Sequence, residues 1–386
     1  GQGRGPGSVA FRTSNGGRTW SVQSVPPKAG LLAGVACSAP AVCQAVGRDT
    51  TSGVATAIRT SDGGSSWAAE ALGGGLSQLA GVSCVPSGAC EAVGSSASPA
   101  SAGALHSLDG GRTWSRQSLP DGGWRLGPID CISADTCQAF GESPADANSS
   151  VAMRTLNAGR SWSVQALPAG IGGINAVSCA SALICVAVGA SPLRGYPQVV
   201  RTTDGGAEWQ AVKLPSSVGG LWDVSCPSAS VCEAVGENAD EDGAALTSTD
   251  GGKSWASQRL PAGIGVLLGV SCPTLSACQA VGGPDSPDDT AVALGTEDGG
   301  KTWSPEPLPV GNGALLAVAC VSATVCESVG QAGAAGAALF TGDGGKRWTA
   351  QAVPGGVTSL YGLSCVTTSA CDAVGSNDRD SFLLHL

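Results

Sequence analysis

Two aspartates are the side chains of this sequence that could carry out acid–base chemistry. Asp130 and Asp223 are acidic outliers on predicted strands, and in the other copies of a repeat described below the position of Asp223 holds Gly, Ala or Pro. Two carboxylates on either side of a bond are the machinery of most glycoside hydrolases. The pair is therefore a catalytic candidate. Because the two aspartates belong to different repeats, the sequence leaves their separation open. Asp130 also adjoins Cys131, which is expected to place it near the face that carries the cysteine pairs.

Aromatic and polar side chains at the start of one predicted strand are candidates for ligand binding. Trp124 and Trp222 are the tryptophans that lie outside a repeated motif, and Arg125 follows the first of them. An aromatic ring beside a cation suits stacking on a sugar or holding a peptide side chain. The full set of candidates is Trp124, Arg125, Asn175, Trp222, Asp223 and Tyr361. An alternative is that these side chains fill an axial channel.

Three acidic segments, 237–243, 283–289 and 376–381, could bind calcium or meet a basic partner. The candidate metal ligands are Asp240, Asp242, Asp285, Asp288 and Asp289. No single segment has the full ligand spacing of a calcium loop, and solvated loops explain the charge equally well. Calcium is therefore the one possible cofactor, and no other is predicted.

Sixteen cysteines form eight pairs, each with five residues between its members. The pairs are Cys37/Cys43, Cys84/Cys90, Cys131/Cys137, Cys179/Cys185, Cys226/Cys232, Cys272/Cys278, Cys320/Cys326 and Cys365/Cys371. This regularity predicts local disulfides and an oxidising compartment, so we expect a secreted or cell-surface protein. A zinc site is less favoured, because zinc motifs use shorter cysteine spacings with supporting histidines, and the chain has two histidines.

A tryptophan motif repeats eight times and organises the whole chain. The tryptophans lie 45 to 48 residues apart, at Trp20, Trp67, Trp114, Trp162, Trp209, Trp255, Trp303 and Trp348. Such a period is typical of either helical HEAT pairs or four-stranded propeller blades. Because the chain has 59 glycines and few charged helix formers, strands are favoured.

Each repeat contains four short apolar runs, which we name A (ending at the first cysteine), B (starting at the second cysteine), C (before the tryptophan motif) and D (after its tryptophan). In one unit they are LAGVSC (79–84), CEAVG (90–94), ATAIRTS (55–61) and SWAAEAL (66–72). The sequence thus predicts an all-β, eight-bladed propeller of antiparallel blades, with one hairpin disulfide in each blade, as a single domain over residues 1–386. Residues 8–25 and 359–386 are predicted to share the last blade and close the ring. We favour residues 8–13 over 381–386 as its C strand.

The charge balance argues against nucleic acid as a partner. The net charge is −10 with only 13% charged residues, whereas binders of the phosphate backbone need clustered Lys and Arg. The sequence has no apolar run of transmembrane length, and its first residues lack the apolar core of a signal peptide, so we expect no membrane span.

The repeated string, as in TSDGGSSW (60–67), resembles the Asp-box, or BNR repeat, with the pattern Ser/Thr-x-Asp-x-Gly-x-x-Trp. Asn15 and Asn157 replace Asp in two copies. The motif is found in β-propellers of sialidases, sortilin-type receptors, some xyloglucanases and photosystem II assembly factors. The resemblance implies that the box is a folding device at the C–D turn, away from the active sites of the family. It does not extend to the six blades, three arginines and Tyr/Glu pair of sialidases.

These patterns favour a non-catalytic binding or assembly scaffold that uses the variable loops of a propeller, since loops on a rigid framework commonly carry function. The expected partner is a glycan or a protein. Two alternatives remain open at this point, a secreted carbohydrate-active hydrolase and a structural protein that associates with itself.

Overall fold

The computed structural model describes residues 8–15, 19–26, 29–96, 101–120, 122, 124–143, 146–191, 196–283, 290–309, 311, 313–353 and 355–376. These residues form strands and turns, with no helix among them. Helices that could span a membrane are accordingly missing from this part of the chain.

Eight antiparallel sheets of four strands are the blades of the propeller, and the predicted fold class is confirmed. The chain opens with β1 (Ser8–Thr13) and β2 (Ser21–Gln23). Blades 1 to 4 comprise β3 (Leu31–Ala39), β4 (Val42–Asp49), β5 (Val54–Thr60), β6 (Ala68–Ala69), β7 (Leu76–Cys84), β8 (Cys90–Ser96), β9 (Ala102–Ser107), β10 (Ser115–Arg116), β11 (Arg125–Cys131), β12 (Cys137–Ser143), β13 (Asp146–Thr155), β14 (Ser163–Gln165), β15 (Ile174–Cys179), β16 (Cys185–Ala190), β17 (Pro197–Thr202) and β18 (Gln210–Ala211). Blades 5 to 7 comprise β19 (Val218–Ser225), β20 (Cys232–Asn238), β21 (Gly243–Ser248), β22 (Ala256–Ser257), β23 (Leu267–Ser271), β24 (Cys278–Gly282), β25 (Val292–Thr296), β26 (Ser304–Pro305), β27 (Gly313–Cys320), β28 (Cys326–Ala332), β29 (Ala335–Thr341) and β30 (Thr349–Ala350).

Blade 8 joins the two ends of the chain and closes the ring. It pairs β31 (Ser359–Thr367) with β32 (Ala370–Ser376), and β32 with β1, to give the order β31-β32-β1-β2. In this register Ser8 lies opposite Ser376, and Thr13 lies opposite Cys371. The N-terminal strand therefore occupies the C position, while residues 381–386 lie outside the described part of the chain. Closure protects the sheet edges that an open array of blades would expose.

The A strands form the inner ring of the molecule. Each A strand contacts the A strands of the blades before and after it, from β3 round to β31 and back to β3. The D strands of only two or three residues lie at the outer edge of each sheet. The innermost strands therefore surround the propeller axis, and side chains near their beginnings are closest to the channel entrance.

The hydrophobic core consists of layers between neighbouring blades. In one such layer Val46 and Ala57 of blade 1 pack with Leu79, Leu105 and Trp114 of blade 2. The repeated tryptophans are all buried in layers of this kind. Because each layer is built from two blades, a blade cannot bury its apolar faces alone, and the repeat must be closed into a ring.

The eight predicted disulfides are confirmed, and no cysteine is free. Each one closes the A–B hairpin of its blade; Cys131 and Cys137, for example, lie directly opposite each other in the register. Eight disulfides indicate an oxidising environment, in which such bonds form and persist.

The repeated string forms the C–D turn in each of blades 1 to 7, where all of its residues are described. At residues 60–67, Thr60 Oγ1 accepts a hydrogen bond from the N–H of Gly64 at 2.6 Å, and Asp62 Oδ1 accepts one from the N–H of Ser66 at 3.0 Å. Gly63 and Gly64 have φ values of 66° and 79°, which glycine adopts without a steric penalty. The string recurs because each blade needs this same turn.

Candidate functional site

The two faces of the ring differ in how much they vary between blades. In blade 1 Cys43 pairs with Thr60, so the disulfide hairpin and the C–D turn lie at the same end of the sheet. The N–H of Gly63 in that turn also bonds to Ala41 O of the hairpin at 2.9 Å. The B–C loops and D–A connections, which vary in length and sequence, therefore lie on the opposite face, named here the variable face.

Every A strand carries a β-bulge near its beginning, and the bulged residue is skipped by the pairing register. The skipped residues are Ala33, Ala80, Gly127, Asn175, Trp222, Leu268, Leu316 and Tyr361, and blade 3 skips Pro128 as well. Bulges redirect side chains and are common beside functional sites. The variable position of the sequence repeat is thus the bulge of the channel-lining strand.

Large apolar side chains occupy this position in four consecutive blades. Trp222, Leu268, Leu316 and Tyr361 come from blades 5 to 8 and are each half-buried, and we name them the apolar arc. Blades 1 to 4 instead carry Ala, Ala, Gly and Asn. The bulge position of the inner strands is therefore bulky and apolar in one half of the ring, and small or polar in the other half.

Asn175 and Trp222 lie at the joint between blades 4 and 5. Asn175 Nδ2 donates a hydrogen bond to Leu221 O at 2.8 Å, next to Trp222 in the chain. The Trp222 indole N–H is buried and has no acceptor among the described residues. These two predicted binding residues are therefore neighbours, held by a hydrogen bond between A strands.

The other predicted binding residues lie elsewhere on the ring. Trp124 packs against the core of blade 3 beside exposed Arg125, and Tyr361 packs against the core layer between blades 8 and 1. Burial raises the pKa of Tyr361 to about 12, so its phenol stays neutral. The contacts therefore do not join the predicted residues into one cluster.

Asp130 occupies a repeated structural position. In several joints a serine just before the first cysteine accepts a hydrogen bond from the N–H of the first cysteine in the next blade, as Ser83 does from Cys131 at 3.1 Å. Asp130 Oδ2 makes the same bond with Cys179 N at 2.8 Å. Burial raises the pKa of Asp130, and these backbone N–H groups oppose that effect. Its contacts favour a structural role between blades 3 and 4.

Asp223 links blades 5 and 6 in a similar way. Its Oδ1 accepts from Val224 N at 2.8 Å, and its Oδ2 accepts from Val270 N at 2.9 Å. Burial raises the pKa of Asp223 to about 6 against the lowering effect of these two bonds. The structure thus gives Asp130 and Asp223 partners in different joints, and no shared contact places both carboxylates on one bond to be cleaved.

The acidic loop of blade 5 projects into solvent. Asn238 Oδ1 accepts hydrogen bonds from the N–H groups of Asp240 and Asp242 at 2.8 and 3.0 Å, which shapes the loop and leaves both carboxylates exposed. Asp285, Asp288 and Asp289 lie outside the described residues. Within the described part, the one group with ligand atoms close enough for a metal is Cys37, Cys43 and Asp372, whose sulfurs form a disulfide. Calcium binding stays a prediction.

The B strands carry a layer of buried polar groups that was not predicted from the sequence. The residue after the second cysteine is polar in seven of eight repeats: Gln44, Glu91, Gln138, Glu233, Gln279, Glu327 and Asp372, with Val186 as the exception. All seven are buried in the joints between blades. Aligning the repeats on the second cysteine would have revealed this layer.

The carboxylates of the layer are poorly compensated. Glu91 Oε1 lies 2.6 Å from His106 Nδ1, but no hydrogen bond reaches the Glu327 oxygens in the described structure. Burial raises the pKa of Glu233 to about 8, of Glu327 to about 9 and of Asp372 to about 7. Asp372 Oδ2 lies 3.1 Å from Cys43 Sγ, which has no proton to donate in a disulfide, so this contact also suits a protonated carboxyl.

Comparison with solved structures supports the propeller fold. YCF48 from Cyanidioschyzon merolae is 17% identical with a TM-score of 0.54, over 83% of this chain and 96% of that chain. A structure of YCF48 bound to D1 peptide is 18% identical with a TM-score of 0.53, over 84% of this chain and 97% of that chain. At such identities the likeness shows the fold alone. No protein-family model and no curated protein sequence matches the chain.

Proposed function

We propose that this protein is a secreted or cell-surface binding scaffold, without catalytic activity, that holds a protein or glycan ligand on its variable face at the channel entrance. The apolar arc carries the proposal. It places Trp222, Leu268, Leu316 and Tyr361 at the same bulge of four consecutive channel-lining strands.

The arc has the properties of a recognition surface. Aromatic and aliphatic side chains on a rigid framework give contact area at a low cost in conformational entropy, and central aromatic groups dominate the binding energy of many interfaces. The opposite wall of small residues leaves room for a ligand beside the arc. A peptide is the favoured ligand, because the arc is aliphatic on two of its four positions and sugars prefer aromatic platforms. One protein of similar fold, YCF48, also binds a peptide.

The absence of catalysis is proposed from the roles of the acidic candidates. Asp130 and Asp223 accept hydrogen bonds from backbone N–H groups of the next blade, which they would have to give up in order to act on a substrate. A general acid or base must instead reach the reacting group of the substrate.

A binding screen of the intact, disulfide-bonded protein tests the proposal. The protein is offered to a glycan array and to a displayed library of random peptides, each with calcium and with a chelator. We expect peptide hits whose affinity falls by about thirtyfold in Trp222→Ala, as is typical of a central aromatic anchor. Loss of binding in the chelator would assign calcium to the site.

Leu183→Ala is the matched control, because Leu183 is an exposed apolar residue in the disulfide hairpin of blade 4, on the other face. Its affinity should equal that of the unmodified protein. Hits that are equally weakened by Leu183→Ala, or unaffected by Trp222→Ala and Leu268→Ala, would exclude the arc as the site. Cleavage of a bound glycan that stops in Asp223→Asn would favour a hydrolase instead.

A further inference from the structure

A cavity of about 400 Å³ lies between blades 6 and 7, on the face that carries the disulfides and C–D turns. It is lined by Gly295 on the C strand of blade 6, by Glu306 just after the D strand, and by Ala323, Gly344 and Lys346 of blade 7. This face is opposite the apolar arc, so the cavity is independent of the site proposed above.

Blade 3 shows what fills the same place elsewhere in the ring. Arg154, the counterpart of Gly295, extends into the next blade and donates a hydrogen bond from Nη2 to Ala182 O at 2.9 Å. Its guanidinium group lies against Gly205, where an added β-carbon would collide with it. Arg59 and Arg12 likewise bond to carbonyl oxygens of the following blade, Gly110 O at 2.7 Å and Pro40 O at 3.1 Å.

The side chains around this place are equivalent in blades 3 and 6. Gln138 Nε2 donates to Gln165 Oε1 at 2.8 Å in blade 3, and Gln279 Nε2 donates to Glu306 Oε1 at 3.1 Å in blade 6. The next blade's tryptophan donates to the same partner in each case, to Gln165 Oε1 at 3.1 Å and to Glu306 Oε2 at 2.7 Å. The pattern of hydrogen bonds beside this place is therefore the same in blades 3 and 6.

Two changes distinguish blade 6 from this template. Gly295 removes the arginine, so the neighbourhood of Gly344 is unfilled, and a β-carbon added there would meet only Ala323 O at 3.2 Å and Thr324 Cα. Glu306 replaces the neutral Gln165 and brings a carboxylate to the cavity wall. The site has lost its internal cation and gained a carboxyl group, whose pKa is raised by burial against the lowering effect of the hydrogen bonds from Trp348 and Gln279.

Gln279 in the cavity wall also carries a buried acceptor atom that has no partner in the described structure. Gln279 is 5% exposed, and its Oε1 has no hydrogen-bond donor in the described structure. Its amide orientation is fixed, because Nε2 serves two acceptors, Glu306 Oε1 and Gly344 O. Buried acceptors are seldom left unpaired, because their desolvation is not repaid.

The charges around the opening have the same sign as Glu306. Asp298 accepts hydrogen bonds from Thr302 N and Oγ1, which keep its pKa low and its carboxylate ionised. Glu297 lies at the opening, 3.7 Å from Lys346, in an exposed pair. Two acidic groups thus accompany Glu306, against one basic group.

We propose that the cavity between blades 6 and 7 binds a guanidinium group from outside the protein, in place of the arginine that Gly295 lacks. The guanidinium group would donate to Ala323 O, as Arg154 does to Ala182 O in blade 3, and to the Glu306 carboxylate. Five donors in one plane suit such a set of acceptors better than the ammonium group of lysine. The source is either an arginine of a polypeptide or a small guanidine compound.

Calorimetric titration of the intact protein tests the proposal with four probes. Agmatine represents a free guanidine compound, and an end-blocked Gly-Arg-Gly peptide represents a polypeptide. Two controls are the same peptide with its arginine replaced by citrulline and by lysine. Citrulline has the shape of arginine without its charge. We expect one site per chain for agmatine or the arginine peptide, with the tighter of the two identifying the source, and weaker binding of both controls.

Two variants in blade 6 locate the site. Glu306→Gln restores the side chain of blade 3, so the fold should be preserved, and we expect at least about tenfold weaker binding because a charge-assisted hydrogen bond is lost. Gly295→Arg should abolish binding by supplying the guanidinium group from within. A β-carbon at residue 295 would overlap Glu306 Oε1, but this is the end of a flexible side chain. Arg59 and Glu70 occupy the corresponding pair of positions in blade 1.

The converse change in blade 3 provides an independent test. Arg154→Gly combined with Gln165→Glu recreates the blade 6 arrangement in blade 3. The number of guanidinium-binding sites per chain should then rise from one to two. The measurements on blade 6 stand alone if this double variant fails to fold. Equal binding of the citrulline and arginine peptides, binding that survives Gly295→Arg in a folded protein, or no binding of either guanidinium probe at millimolar concentration would overturn the proposal.

Discussion

Replacing Glu327 with glutamine should stabilise the protein at neutral pH and leave its stability at acidic pH nearly unchanged. Glu327 is 2% exposed, and neither of its carboxylate oxygens has a hydrogen-bond partner among the described residues. Burial raises its pKa from 4.5 to about 9, so the native protein keeps this side chain protonated at pH 7. Gln44, Gln138 and Gln279 occupy the same position in other blades, so an amide fits there.

The size of the effect follows from the two pKa values. Below pH 4.5 the carboxyl is protonated in both the folded and unfolded states, and it contributes no pH dependence. Above pH 4.5 the unfolded chain releases the proton and the folded chain does not, so the native state loses about 1.4 kcal/mol for each pH unit up to the folded pKa. At pH 7 this loss amounts to about 3 kcal/mol. Glu327→Gln should recover most of it.

Urea unfolding with the disulfides intact, followed by tryptophan fluorescence at pH 4 and pH 7, measures the difference. The control is Glu208→Gln, because Glu208 is exposed and should leave the free energy of unfolding unchanged at both pH values. A destabilised Glu327→Gln protein at pH 7 would show that the native carboxylate is ionised and paired, and a change of equal size at both pH values would show that its pKa is not raised. Either result would refute the reasoning.

Further predictions concern pH, the turns and the disulfides. Because the pKa values of Glu233 and Asp372 are also raised, to about 8 and about 7, thermal unfolding should occur at a lower temperature at pH 8 than at pH 5, and an unchanged temperature would contradict this. Ala158 has a φ of 58° in a turn position where other blades have glycine, so Ala158→Gly should raise the free energy of unfolding by about 1 kcal/mol in urea, whereas a loss would show that the strain is absent. Asp62→Asn should lower the free energy of unfolding less than Asp62→Ala does, because Asn157 Oδ1 accepts from Ser161 N the bond that Asp62 Oδ1 accepts from Ser66 N. Equal losses in the two variants would show that this bond does not stabilise the turn. Replacing both cysteines of one hairpin with alanine should lower the free energy of unfolding by about 2 kcal/mol, because each disulfide closes a loop of seven residues. An unchanged free energy of unfolding would indicate strain in the native bond.

Parts of the candidate site could be predicted from the sequence and parts could not. Trp222 and Tyr361 stood out because the repeat supplies seven other copies for comparison, and an outlier is visible in such an alignment. Asp130 and Asp223 stood out for the same reason, but their partners, Cys179 N and Val270 N, lie 49 and 47 residues away in the next blade. An acidic residue that is unusual in a repeat can be catalytic, or it can bind the backbone of the next repeat. Only its hydrogen-bond partner distinguishes these two roles.

The blade 6 cavity illustrates the same limit. Gly295 is a small residue in a chain with 59 glycines, and nothing in its own segment marks it as the place of a missing arginine. The comparison becomes informative once Arg154 is seen to reach Ala182 O across the joint, because the loss of that contact leaves an acceptor and a cavity.

The sequence by itself determined the repeat, the strand order within each blade, the hairpin disulfides and the closure of the ring, because these depend on local spacing and on turn chemistry that is written in consecutive residues. The tertiary structure decided which polar side chains are buried, which of them have partners, and which residues share the channel entrance. Those properties arise between blades, where residues nearly fifty positions apart meet, and burial and pairing there depend on the packing of both blades at once.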